Sequence, residues 1–184
     1  MQHILLLDDE PSVLTALKRV LRTAFGDELG VDATTVPDVA LGLVKSKTFD
    51  VIVSDYRMPV ISGSEFLRIV RAIQPDAVRM ILSASSESGA VMHSVNDAEV
   101  FRYILKPWTE TDIVAQIKLA LQIALERRRQ RELADVAREK IGEIDKQELE
   151  RRRLESLEPG ITHVEWGPSG EVLLTPDIRD PHGT

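Results

Sequence analysis

Four short stretches carry residues able to do chemistry together: Asp8-Asp9-Glu10, Asp55, Ser83-Ala84 and Lys106-Pro107, each following a run of apolar residues. Acidic groups from two such places suit a hard divalent ion such as Mg²⁺, which takes oxygen ligands and is commonly held by one or two carboxylates with phosphate and water. A lysine and a hydroxyl added to them complete a cradle for a phosphoryl group, the ammonium balancing charge and the hydroxyl donating to an oxygen. Each stretch alone has an ordinary reading. Asp8-Asp9 could start a helix, Asp55 with Met58-Pro59 could be a turn, and Lys106-Pro107 could be a strand exit. Their joint occurrence at strand ends favours chemistry.

The elements that must position these groups are legible as alternating periods. Ile4-Leu5-Leu6-Leu7, Val31 to Thr35, Val51-Ile52-Val53, Met80-Ile81-Leu82 and Phe101 to Leu105 read as five strands. Between them Val13, Leu14, Leu17, Val20, Leu21 and Phe25, and later Phe66, Leu67, Val70 and Ile73, recur at helical spacing. Pro11 and Pro37 suit first helical turns, and Thr109 with Asp112 reads as an N-cap. Repeated βα units with right-handed crossovers predict a three-layer α/β domain of five parallel strands and five helices, with ligands at the carboxyl ends of the strands.

At these residues the chain resembles the receiver domain of bacterial two-component response regulators, over roughly residues 2–125. Leu5-Leu6-Leu7-Asp8-Asp9-Glu10 looks like the family's acidic pair, and Asp55-Tyr56-Arg57-Met58-Pro59 with Gly63 looks like its phosphoacceptor motif. Leu82-Ser83-Ala84 resembles the hydroxyl-bearing position, and Tyr103-Ile104-Leu105-Lys106-Pro107 the switch aromatic, lysine and proline of strand five. The resemblance implies a flavodoxin-like fold of strand order 2-1-3-4-5 and phosphorylation at Asp55. It implies Mg²⁺ on Asp8, Asp9, Asp55 and the main-chain carbonyl of Arg57, Ser83 and Lys106 on the phosphoryl oxygens, Ser83 and Tyr103 as a switch, and a Lys106-Pro107 bond that is usually cis. A sensor histidine kinase or phosphotransfer protein is the implied partner. A haloacid-dehalogenase-type phosphatase is the nearest enzyme alternative, but it wants an aspartate where Glu10 stands.

Composition bounds the rest. With 184 residues and 43% of them hydrophobic there is enough apolar surface for a core, which excludes wholesale disorder. The absence of cysteine removes disulfides and thiol chemistry, and no apolar run approaches the ~20 residues that span a bilayer, so a cytoplasmic protein is the expectation. His3, His93, His163 and His182 share no metal-like spacing. Charge changes character along the chain: residues 126–158 hold ten acids and ten bases, 159–184 four acids and one base, and 1–125 sixteen and twelve. Three parts follow, a receiver over 1–125, an extended helix over 126–158, and an acidic tail over 159–184.

A helix from Thr109 to Leu157 would be about 74 Å long at 1.5 Å per residue. Ala134, Ala137, Ile141 and Ile144 suggest a short coiled-coil seam and hence a homodimer, with opposite-charge pairing along a single helix as the alternative. In the tail, Ile161 to Trp166 and Glu171 to Thr175 flank a Gly-Pro-Ser-Gly turn and predict a small hairpin. Two output classes stand. The favoured one is a phosphoacceptor that is no turnover enzyme and signals by protein contact. The other is a transcriptional regulator that contacts DNA through Arg127-Arg128-Arg129, Arg131 and Arg151-Arg152-Arg153. Nucleic acid is the less favoured partner, because ten interleaved acids pair with those arginines.

Overall fold

The computed structural model describes residues 1–84, 99–140, 146–157, 165–166 and 172–173. Five parallel strands form one sheet: β1 (Gln2–Leu7), β2 (Leu29–Thr34), β3 (Val51–Asp55), β4 (Val78–Ala84) and β5 (Arg102–Lys106), in the order β2-β1-β3-β4-β5. This is the flavodoxin-like order that the sequence resemblance implied. The central strands are covered on both faces, which is why Ile4 to Leu7 in β1 and Val51 to Val53 in β3 read as unbroken hydrophobic runs. Alternate residues then serve opposite faces. Ile4, Leu6, Val51, Val53, Met80 and Leu82 share one core with helix α1 (Pro11–Phe25) and helix α4 (Glu110–Lys140). Leu5, Leu7, Ile52 and Ile81 share the other with α2 (Pro37–Ser46) and α3 (Gly63–Ile73).

Local chemistry sets the helix starts. Pro11 and Pro37 occupy first turns, where a missing N–H leaves no bond unmade. Thr109 Oγ1 accepts from the Asp112 main-chain N–H at 3.1 Å, so the expected N-cap of α4 is present. Ser62 and Glu65 form a full capping box on α3, from a Ser-x-x-Glu pattern in the sequence.

Two expectations for the appendage change. The single helix from Thr109 to Leu157 is instead two helices, α4 of 31 residues and α5 (Lys146–Leu157) of 12. The chain reverses between them, because Arg152 Nη1 lies 3.2 Å from Asp135 Oδ1, whereas one straight helix would hold these residues about 25 Å apart. The joining stretch contains Gly142, a poor helix former. At its far end α5 returns to the receiver, where Thr48 Oγ1 donates to the Ser156 carbonyl at 2.8 Å.

The second change concerns the arginines, which pair with the domain as well as with their own helix. Arg128 meets Asp50 and Arg131 meets Asp76, each at 2.8 Å, along the amino-terminal edge of the sheet. Asp50 is almost fully buried and also accepts the His3 main-chain N–H at 2.7 Å, so one carboxylate ties β1, the start of β3 and α4 together. Of the expected coiled-coil seam, Ala134 and Ala137 are exposed, while Ile141 and Ile144 lie outside the described residues. So does the helix expected between β4 and β5. In the tail, β6 (Glu165–Trp166) pairs antiparallel with β7 (Val172–Leu173), within the two stretches expected to form a hairpin; the rest of those stretches lies outside the described residues. Among the described residues no helix is long and apolar enough to cross a membrane.

Candidate functional site

Parallel register carries the ends of β1, β3 and β5 to one edge. Leu7 pairs with Ser54, Asp55 with Leu82, and Ala84 with Lys106, so Asp8, Asp55 and Lys106 come to the same edge, with β4 between the strands of Asp55 and Lys106. Lys106 Nζ lies 2.8 Å from Asp8 Oδ2 and 2.5 Å from Asp55 Oδ1, with Glu10 Oε1 at 3.7 Å. The remaining oxygens of the two aspartates are held alike. Asp8 Oδ1 accepts the Glu10 N–H at 3.0 Å and Asp55 Oδ2 accepts the Arg57 N–H at 2.8 Å. Each carboxylate is thus fixed at one oxygen by the ammonium and at the other by the main chain two residues on, an Asx-type local bond.

The acceptor loop is fixed from behind. Tyr56 N donates to the Leu82 carbonyl and Gly63 N to the Tyr56 carbonyl, at 2.8 and 2.9 Å. Gly63 sits so close beneath β3 that a Cβ built on it would stand 2.0 Å from the Asp55 main-chain oxygen. Gly63 belongs to the acceptor motif legible in the sequence, whereas the crowding that requires glycine exists only in the fold. Within the same loop Val60 is fully exposed at φ +78°, a conformation β-branched residues rarely adopt.

Burial and like charge act on this cluster together. Asp8 is wholly enclosed and Asp55 is 6% exposed. Desolvation raises the Asp55 pKa above the usual carboxylate value and the Asp8 charge adds to it, while the hydrogen bond and charge of Lys106 and the Arg57 N–H pull the other way without prevailing. For Lys106, burial works against the ammonium, but its bonds to Asp55 and Asp8 outweigh that and leave the pKa raised. A carboxylate whose folded pKa is raised contributes stability below the unfolded value, and that contribution is lost as pH climbs through the folded value. Asp55→Asn is therefore expected to be more stable than the native chain at pH 7, with the difference closing near pH 4; urea denaturation at the two pH values checks it.

The other expected residues fall around this centre. Ser83 is buried at the end of β4, and its Oγ donates to the Ala84 carbonyl at 3.3 Å. Ala84 itself is exposed. Tyr103 is half-buried against the core that includes Met58 and Ile61. The Lys106-Pro107 peptide is cis, as the resemblance implied. Asp9 is exposed, and among the described residues no group of three or more acidic or histidine side chains is gathered for a metal. What is gathered is the Asp8 and Asp55 pair, with the single Lys106 ammonium between them. An anionic oxygen pair of this kind fits Mg²⁺, which needs one or two carboxylates and fills its shell with carbonyl, phosphate and water.

Comparison with known proteins decides the family. The response regulator receiver domain pattern matches residues 4–118, more than half of the chain. The chain belongs to the response regulator receiver family. The hydrogenase transcriptional regulatory protein HoxA of Bradyrhizobium diazoefficiens is 40% identical over 120 residues, which are 65% of this chain and 24% of that protein. The transcriptional regulatory protein PrrA of Mycobacterium tuberculosis is 33% identical over 123 residues, 65% of this chain and 50% of its own length. This chain therefore matches between a quarter and half of such relatives. Among solved structures, one described as an adenylate cyclase from Rhodopirellula baltica superposes with a TM-score of 0.66 at 33% identity, covering 72% of this chain and 96% of that one. The chemotaxis protein CheY4 of Vibrio cholerae, at 24% identity and a TM-score of 0.60 over 66% and 99% of the two chains, shows the shared fold. Receivers work with a histidine kinase or phosphotransfer partner and generally depend on Mg²⁺. In this receiver Asp8, Asp55 and Lys106 are the residues brought into contact, with Ser83 on β4 and Tyr103 on β5 beside them.

Proposed function

We propose that Asp55 accepts a phosphoryl group from a phosphohistidine on a sensor kinase or phosphotransfer protein in the cytoplasm, and that the phosphorylated receiver signals by protein contact. The observation that carries this is Lys106 Nζ held between the Asp8 and Asp55 carboxylates. In the transfer, an Asp55 carboxylate oxygen forms the new P–O bond while the P–N bond to the donor imidazole breaks and returns its electron pair to the ring. Phosphoryl transfer has a loose transition state, so alignment and charge neutralisation supply most of the catalysis. Here the Arg57 N–H and Lys106 orient the nucleophile, and Lys106 offers a cation to the incoming oxygens. Mg²⁺, held by Asp8, Asp55 and the Arg57 carbonyl with Asp9 at the rim, would supply further neutralisation of phosphoryl charge.

The product is a mixed anhydride on a side chain of this protein, so the receiver is a stoichiometric acceptor and no turnover enzyme. Its oxygens would draw the Ser83 hydroxyl inward and let Tyr103 turn toward the space vacated, changing the β5 face. The named relatives HoxA and PrrA are transcriptional regulators, but here Arg128, Arg131 and Arg152 are engaged by Asp50, Asp76 and Asp135, which disfavours DNA contact through them. Incubation with acetyl phosphate and Mg²⁺ is expected to add one phosphoryl group, seen by intact mass, and Asp55→Asn is expected to take none. Undiminished labelling of Asp55→Asn would overturn the assignment.

A further inference from the structure

Helix α4 has two differently used sides. One packs Ile113, Ile117, Ala120 and Ala124 into the core, then continues past the sheet as Arg128, Arg131 and Asp135, which hold Asp50, Asp76 and Arg152. On the other side Leu119, Gln122, Glu126, Arg129, Leu133 and Val136 recur at spacings of three and four residues, and all six are exposed. Leu119, Leu133 and Val136 are 39%, 62% and 42% exposed, so none of the described elements covers them. Alternating spacings of three and four form the seam of a coiled coil, and this stripe differs from the alanine and isoleucine one expected from sequence.

We infer that the occupant of this stripe is the same stripe of a second copy, running antiparallel. The residue order is self-complementary about a point between Arg127 and Arg128: Leu119 faces Val136, Gln122 faces Leu133 and Glu126 faces Arg129, and the two-fold axis makes each pairing twice. Leu119–Val136 layers then close both ends, and Gln122–Leu133 layers separate them from two opposite-charge layers at the centre. A parallel pairing would set Glu126 against Glu126 and Arg129 against Arg129, like charges in a partly desolvated seam. Glu126 also accepts from Gln130 within its own helix at 3.0 Å, which holds the carboxylate on this side. The inference rests on the protein-contact part of the proposed function and is independent of the chemistry at Asp55.

The chain lacks cysteine, so introduced pairs report geometry cleanly. In the 184-residue chain, a mixture of Leu119→Cys with Val136→Cys is expected to cross-link on mild oxidation. Leu119→Cys alone is not, because antiparallel packing holds its two copies about 25 Å apart. In sedimentation, Glu126→Arg and Arg129→Glu are each expected to weaken the dimer about tenfold or more, and an equimolar mixture of the two to restore it as a heterodimer. Cross-linking of Leu119→Cys to itself, a monomer at high micromolar concentration, or indifference to both charge reversals would overturn the inference. Acetyl phosphate labelling of the same variants, expected to be unchanged, separates this failure from failure of the acceptor assignment.

Discussion

Gly63→Ala is expected to lower stability by about 3 kcal/mol or more and to take phosphoryl acceptance with it. The added Cβ would stand 2.0 Å from the Asp55 main-chain oxygen, 2.9 Å from its carbonyl carbon and 3.0 Å from Ser54 Oγ. Two of those three atoms are backbone, so no side chain can swing aside. Relief requires α3 to lift from β3, yet α3 is anchored by Phe66, Leu67 and Val70, all fully buried. Any such shift also displaces Asp55, whose position relative to Lys106 is the centre of the site. Gly42 in α2 is the natural contrast, since nothing lies within 4 Å of a Cβ there and alanine suits a helix better. Gly42→Ala is expected to gain about 0.5–1 kcal/mol. Urea denaturation of both variants beside the native chain tests the pair, and equal stability of Gly63→Ala and the native chain would refute the crowding argument.

Lys106→Ala should slow labelling by acetyl phosphate about 10²-fold at saturating Mg²⁺, the effect typical of removing one preorganised donor or cation from a site of developing charge. Mg²⁺ binding should persist, because the metal's proposed ligands are elsewhere. Stability should also fall at pH 7, since Asp8 and Asp55 are left buried together without their shared cation, a loss of about 3 kcal/mol for an enclosed pair. The pH dependence has a definite sign. Without Lys106, the influences left on Asp55 are desolvation and Asp8, which raise its pKa, and the lesser pull of the Arg57 N–H. A raised carboxylate pKa loses stability as pH rises through it, so the deficit should be greatest near neutrality and shrink on acidification. Full labelling rates in Lys106→Ala, measured by intact mass over time, would remove the lysine from the proposed mechanism.

The α/β class, the five strands and the edge at which the chemistry gathers are all written in local pattern. These are legible because unbroken apolar runs such as Ile4 to Leu7 leave a central parallel strand as the economical reading, and whatever follows each strand must emerge on one edge. Asp8, Asp55, Ser83 and Lys106 could be named for the same reason. Strand boundaries were less legible, since β3 and β4 extend to Asp55 and Ala84, where polar residues end the apolar signal but ladder bonds continue. Which groups touch follows from the packing of distant segments. Asp9 has the same chemistry as Asp8 and adjoins it, yet Asp8 stays buried at the strand end against Lys106 while Asp9 stands exposed in the bend that leads to α1. The fate of the arginines was beyond local pattern as well. Arg128 and Arg131 sit among acids in the sequence, so pairing within the helix was the natural reading, but their partners Asp50 and Asp76 lie more than fifty residues away and meet them only because α4 runs past the sheet edge. The reversal joining α4 to α5 has the same origin: periodicity reports what a helix can do, while contacts such as Asp135 with Arg152 and Thr48 with Ser156 decide where the chain turns back.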